Sequence, residues 1–117
     1  MRHVVKRLYG PDEKRLTEPV LLILMSLADR PRHGYALLKE TQVLSDGRVR
    51  LSTGTLYGAI RRLLQDRWIE RFAQSDTSRD KQAYRLTSLG RVRLESELGR
   101  MRRLTRTAAV RMRAKEA

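Results

Sequence analysis

The sequence predicts a mainly α fold with one small β-hairpin, an α+β domain that ends in a long helix. Two observations carry that prediction. Apolar residues recur at helical spacing in four separate segments, and only over residues 68–73 and Ala83–Leu86 does the pattern loosen towards alternation. With 117 residues, 40% of them apolar, the chain has room for one core. It divides into a basic arm over 1–15, a folded domain over 16–87 and a terminal helix over 88–117.

The arm mixes Lys6, Arg7, Lys14 and Arg15 with Gly10 and Pro11. Thr17-Glu18-Pro19 then starts a helix, supplying an N-cap hydroxyl, an acid in the first turn and an early proline. Val20, Ile23, Leu24 and Leu27 hold one face of it until Asp29-Arg30-Pro31 stops it. Gly34 opens a second, short helix, with Tyr35 and Leu38 along one side and Thr41 or Gln42 continuing it. Asp46-Gly47 ends that helix in a turn. Ser52 caps a third helix running to about Asp66, with Leu56, Ile60, Leu63 and Leu64 in one buried stripe.

The two alternating segments flank a polar tip, residues 74–80, and form a hairpin that must lean on the helices. Thr87 caps the last helix, which continues through Gly90 and Gly99 although each costs up to about 1 kcal/mol relative to alanine. Its Leu94, Leu98, Met101, Thr105, Ala108 and Met112 recur at intervals of four and three, a heptad seam. Three helices followed by a hairpin wing make the winged form of the helix-turn-helix, here with a long C-terminal dimerisation helix.

Charge narrows the function. Lys and Arg number 26 against 13 acids, a net +13, which calls for a polyanionic partner. The chain has no cysteine and only His3 and His33, so thiolate chemistry, disulfides and histidine-rich metal sites are excluded and no cofactor is expected. The longest apolar run, residues 20–25, is far too short to span a bilayer, and residues 1–15 carry no export signal. A cytoplasmic protein without membrane contact is expected.

The third helix makes the charge specific. Opposite its apolar stripe lie Gly54, Gly58, Arg61 and Gln65, with Tyr57 on the flank. Small residues let the backbone approach a groove floor, while Arg61 and Gln65 are long enough to reach base edges. Ser52, Thr53 and Thr55 place hydroxyls at a helix N-terminus, where the dipole and free N–H groups suit a phosphate. On the hairpin, Arg79 and Lys81 sit at the tip, with Arg71 and Arg85 behind and Asp76 and Asp80 diluting the patch. His33 has no carboxylate or nucleophile to work with and reads as the residue that leads into the second helix. Ser52-Thr53-Gly54-Thr55 lacks the spacing of a nucleophile elbow or a P-loop. No catalytic constellation is present, so an enzyme is not expected. The last helix carries nine basic residues between Arg91 and Lys115. Its seam favours pairing with a second copy, because a monomer would leave Leu94, Leu98 and Met101 bare.

Three motifs in register, Pro31-Arg32-His33-Gly34-Tyr35-Ala36-Leu37-Leu38, Leu51-Ser52-Thr53-Gly54-Thr55-Leu56-Tyr57 and Tyr84-Arg85-Leu86-Thr87-Ser88-Leu89-Gly90, resemble the PadR family of transcriptional regulators. The resemblance runs from about Leu16 to Gly90. It implies a winged helix-turn-helix, a homodimer built by C-terminal helices (Leu94, Leu98, Met101, Thr105 and Ala108 here), and repression at a palindromic operator in double-stranded DNA. The short chain is similar to the subgroup with a single C-terminal helix. Ser52, Thr53, Thr55, Tyr57 and Arg61 fall on the family's recognition helix, Lys81 in its basic wing, and Tyr35 and Arg79 join them as DNA-contact candidates. Two departures stand out. Arg67 occupies the place of the usual glycine after the recognition helix, so that end is expected to close differently. Asp80-Lys81-Gln82-Ala83 is poorer in arginine and aromatic residues than the usual wing. Some short relatives bind planar apolar effectors between subunits through aromatic residues of the last helix. None lies between Leu89 and Ala117 here, so a small apolar effector is allowed but not identified.

Two further readings use the same residues: a non-specific basic nucleic-acid-binding module, and a protein-interaction adaptor on a winged-helix fold. Selectivity for palindromes separates the first from a dimeric repressor, and salt-resistant binding to a protein partner would mark the second.

Overall fold

A computed structural model describes residues 16–72 and 82–116. The order is α1 (Glu18–Ser26), β1 (Arg32–His33), α2 (Gly34–Leu44), α3 (Thr53–Gln65), β2 (Ile69–Phe72), β3 (Ala83–Leu86) and α4 (Ser88–Glu116). This is the winged helix-turn-helix that the sequence predicts. The basic arm, Arg79 and Lys81 lie outside the described residues.

α1 begins as expected: the Thr17 side chain accepts from the Val20 N–H at 3.4 Å, and Glu18 and Pro19 follow. It ends at Ser26, before the Asp29-Arg30-Pro31 stop. The Arg32 guanidinium reaches back from β1 and donates to the Ser26 carbonyl at 2.6 Å, satisfying an end that the helix cannot. α2 presents Gly34, Leu37 and Thr41 to the core. Tyr35, a DNA-contact candidate from the sequence, is 65% exposed, because Gly34, Leu37 and Thr41 take the inner face. Asp46 (φ 54°) and Gly47 (φ 79°) then turn the chain through two left-handed residues.

Ser52 caps α3, its hydroxyl accepting from the Thr55 N–H at 3.1 Å. The C-terminal end corrects an expectation. Arg67 takes the left-handed conformation itself, with φ 62°. Its N–H donates to the Leu64 carbonyl and that of Trp68 to the Leu63 carbonyl, both at 3.1 Å. These are the two bonds of a Schellman closure, so the helix ends as a glycine would end it, at a cost of roughly 1 kcal/mol to a residue with a Cβ.

The hairpin gains a strand that two residues were too short to announce. The sheet runs β1-β3-β2, all antiparallel, with Arg32 opposite Tyr84 and Ile69 opposite Leu86. Ile23, Leu24, Leu27, Leu37, Leu56, Ile60, Leu63, Trp68, Ile69, Tyr84 and Leu94 form one core, to which every helix contributes.

At the wing base, the Thr87 hydroxyl accepts from the Gly90 N–H at 2.9 Å and donates to the Arg67 carbonyl at 2.6 Å. The Thr87 N–H donates to the Trp68 carbonyl at 3.1 Å. Gly90 is therefore more than a tolerated weak point. A Cβ there would collide with the Trp68 carbonyl oxygen and lie 3.0 Å from Leu86 Cδ1. At Gly99 a Cβ would meet only the ends of Arg102 and Arg103, at 3.6 Å or more. Gly90→Ala should lower unfolding free energy in urea by about 1–3 kcal/mol, whereas Gly99→Ala should raise it by up to about 1 kcal/mol. Equal effects from the two would remove the special role of the first.

Candidate nucleic-acid interface

α3 lies with Leu56, Ile60 and Leu63 inward. Ser52, Thr53, Gly54, Thr55, Gly58, Arg61, Arg62 and Gln65 consequently form an exposed face. Among the described residues no carboxylate pairs with Arg61 or Arg62. The Ser52 hydroxyl also donates to Thr55 Oγ1 at 2.9 Å, so the cap fixes both hydroxyls at the N-terminal end.

Gly54 and Gly58 are one turn apart on this face, and a Cβ at either would meet nothing within 4 Å. Packing thus gives no reason for them, while each weakens the helix by about 1 kcal/mol relative to alanine. They keep the helix backbone bare along the face that carries Arg61.

Tyr57 differs from its neighbours. Its ring packs over Gly34, with the phenol oxygen against the place a Cβ would fill, so it joins α3 to the start of α2. Tyr35 stands out into solvent at the same end of α2, and Lys39 Nζ lies 5.2 Å from its ring centroid. Lys39 is an exposed cation that the sequence reading did not single out, although its i+4 spacing from Tyr35 was legible. On the wing, Arg71 is exposed, but Arg85 is bound to Glu70 at 2.6 Å and lies over Phe72. Arg85 is therefore paired within the sheet, although both side chains remain about half exposed.

The sequence profile described as the Transcriptional regulator PadR-like family matches residues 23–96, more than half of the chain. The chain belongs to the PadR-like family. That is a family of transcription regulators, not of enzymes, and its fold is a DNA-binding one. Solved structures agree on the fold. A PadR family transcription regulator from Clostridium difficile superposes with a TM-score of 0.67 at 23% identity, covering 82% of this chain and 99% of that one. Bacillus subtilis PadR in complex with operator DNA superposes with a TM-score of 0.58 at 20% identity, over 68% of this chain and 45% of that one. An uncharacterized 37.1 kDa protein in transposon TN4556 of Streptomyces fradiae is 35% identical over 91 residues, or 78% of this chain. The match spans only 25% of that relative's length.

In this PadR-family chain the seam residues of α4 separate into two groups. Leu94, expected in the seam from sequence, is instead 4% exposed inside the chain's own core. Leu98 is half-buried against the same core. From Met101 onward the helix leaves the domain, and Met101, Leu104, Thr105, Ala108 and Met112 are exposed. The face that docks at Leu94 thus continues as an uncovered stripe. A shallow hollow along it is lined by Leu98, Met101, Arg102, Thr105 and Arg106.

The sequence reading also missed a buried polar cluster. Trp68 is a core residue, with the guanidinium of Arg93 5.6 Å from its ring centroid. Arg93 is buried beside Glu97, which receives a fork of two bonds from Arg100, at 3.2 and 2.8 Å. The i, i+4 and i, i+3 spacings announced the pairs but not their burial. Among the described residues no group of side chains is arranged to hold a metal ion, and no helix is long and apolar enough to cross a membrane.

Arg100's hydrogen bonds hold the Glu97 carboxyl below the ordinary carboxylate range, against burial, with the charges of Arg100 and Arg93 adding to the effect. A depressed folded-state pKa stabilises above the unfolded value and is lost as pH falls through the folded one. Thermal midpoints should therefore fall on acidification below the usual glutamate range. Glu97→Gln should start lower at pH 7 and lose less over the same interval. Parallel curves would place the acid sensitivity elsewhere.

A second prediction concerns the bare glycines. Gly58→Ala should raise the stability of the free protein by about 0.5–1 kcal/mol, read from urea unfolding, and should weaken duplex binding. A variant both stabler and equally tight would mean that nothing approaches the backbone there.

Proposed function

We propose that this protein is a sequence-specific, homodimeric repressor that binds a palindromic operator in double-stranded DNA. The observation that carries the proposal is the exposed face of α3: a capped N-terminus with hydroxyls, two glycines that no packing requires, and Arg61 without a carboxylate partner among the described residues. A helix presenting its bare backbone and an arginine suits a major groove, where arginine donates to the O6 and N7 acceptors of guanine. Ser52, Thr53 and Thr55 are assigned to phosphate at the helix N-terminus, and Tyr35 and Tyr57 to the groove edge. Arg79 and Lys81 are assigned to the backbone beside the wing.

Palindromy follows from two-fold pairing of the stripe that begins at Met101. Leu98, Thr105 and Ala108 belong to that contact, and Leu94 supports it from within the protomer. A small apolar effector would share the hollow at Leu98, Met101 and Thr105 with the partner copy. The similarity to a structure described as a complex with operator DNA supports the reading.

Selection of bound sequences from a random duplex pool tests it. Enriched sites should contain two inverted half-sites. Arg61→Ala should flatten the preference at one position in each, at about 1–3 kcal/mol per contact. Recovery of no common sequence would favour the non-specific basic module instead. Met101→Asp should convert the dimer to a monomer in sedimentation while circular dichroism stays unchanged, because Met101 lies beyond the protomer's own core. A Met101→Asp protein that remains dimeric would put the contact elsewhere.

A further inference from the structure

The distal half of α4 carries more charge than a dimer seam can use. Between Arg100 and Lys115 stand six arginines and one lysine, with no acid among them. Arg100 is held by Glu97, but Arg102, Arg103, Arg106, Arg111, Arg113 and Lys115 are all exposed. Among the described residues none of those six has a carboxylate partner.

Helical periodicity arranges them. With Met101, Thr105, Ala108 and Met112 on one line, Arg102, Arg106 and Arg113 fall together on one flank, while Arg100, Arg111 and Lys115 fall on the other. Of these, only Arg102 and Arg111 stand at the positions directly beside the seam. Arg103, Arg106 and Arg113 lie farther round the helix, so a self-contact along Met101, Thr105, Ala108 and Met112 leaves them facing outward and uncompensated.

We infer that the flanks of distal α4 form a second, sequence-independent contact to DNA phosphates, outside the half-sites read by α3. The inference rests on the operator-binding reading above. Arginine outnumbers lysine six to one here, and its planar fork matches phosphate oxygens bidentately. An anionic membrane fits the helix less well. α4 carries no aromatic side chain, and Val110, half-exposed at 51%, stands on the side opposite Met101, so the apolar residues do not form one insertable face.

The test compares Arg103→Gln/Arg111→Gln/Arg113→Gln, three exposed residues outside the hollow, with the parent on two duplexes, one limited to the selected operator and one extended by a helical turn or more on each side. The extended duplex should bind the parent more tightly than the short one. The triple variant should lose that advantage, and its slope of log affinity against log salt should shrink by about 0.9 for each lost phosphate contact, up to about 5.4 for the six arginines that a homodimer loses. On the short duplex the two proteins should bind alike. An unchanged salt slope on the extended duplex would overturn the inference, as would an equal loss on both duplexes. Vesicles of phosphatidylglycerol provide the remaining arm: co-flotation of the parent but not of the triple variant would assign the surface to lipid and overturn it too. Failure of Arg61→Ala to alter short-duplex binding would count against the α3 reading alone, because the comparison of duplex lengths does not depend on it.

Discussion

The close approach of Gly90 to the Trp68 carbonyl joins the end of α3, the wing base and the start of α4. Three segments meet there. Arg67 closes α3, Trp68 leads into β2 and Thr87 leads into α4, its hydroxyl bonding to both Arg67 and Gly90. Without a Cβ at residue 90, the first turn of α4 settles directly on the carbonyl that also receives the Thr87 N–H. The direction of α3 and that of α4, which leaves the domain, are thereby coupled through a few backbone atoms. Arg67 bears the conformational strain of that junction in a left-handed turn.

Charge is then divided between two surfaces by what packing leaves free. Arg32, Arg85, Arg93 and Arg100 are tied to carboxylates or carbonyls and serve the fold. Arg61 and Arg62 on α3 and the arginines of distal α4 have no such partners among the described residues. An excess of +13 is costly to hold in one small domain through self-repulsion. Bringing phosphates to both surfaces relieves it, which links the net charge to the proposed partner rather than to the fold.

Much of this was legible in the residue pattern. The caps at Thr17, Ser52 and Thr87, the stripe of α3 and the Asp46-Gly47 turn all depend on local chemistry, and local chemistry is written in adjacent residues. What escaped depended on contacts between distant segments. β1 is two residues long and exists because β3 offers it an edge. The line of Tyr35, Leu38 and Thr41 or Gln42 read along α2 coincides with the core only in part: Thr41 is buried, while Tyr35 is exposed and Leu37, off that line, faces inward. Leu94 fitted a heptad as well as it fits its own core, and spacing alone cannot distinguish a partner's surface from the protomer's. Arg67 was expected to close α3 in some new way, whereas the backbone kept the glycine geometry and the side chain complied. On the candidate site, the exposure of Arg61, Gly54 and Gly58 agreed with the helical period, while the tie between Tyr57 and Gly34 required the packed structure.

In the proposed dimer, one rigid path, from α3 through the Trp68–Gly90 junction into paired α4 helices, would set the distance between two recognition helices. Inserting ~5 bp between the inverted half-sites of the selected operator rotates one half-site by about half a helical turn. Equilibrium binding to the altered duplex measures the claim directly. The account predicts that affinity drops to that of a single half-site. Undiminished binding to the lengthened operator would contradict it, because two recognition helices held at a fixed spacing cannot follow a half-site to the opposite face of the duplex.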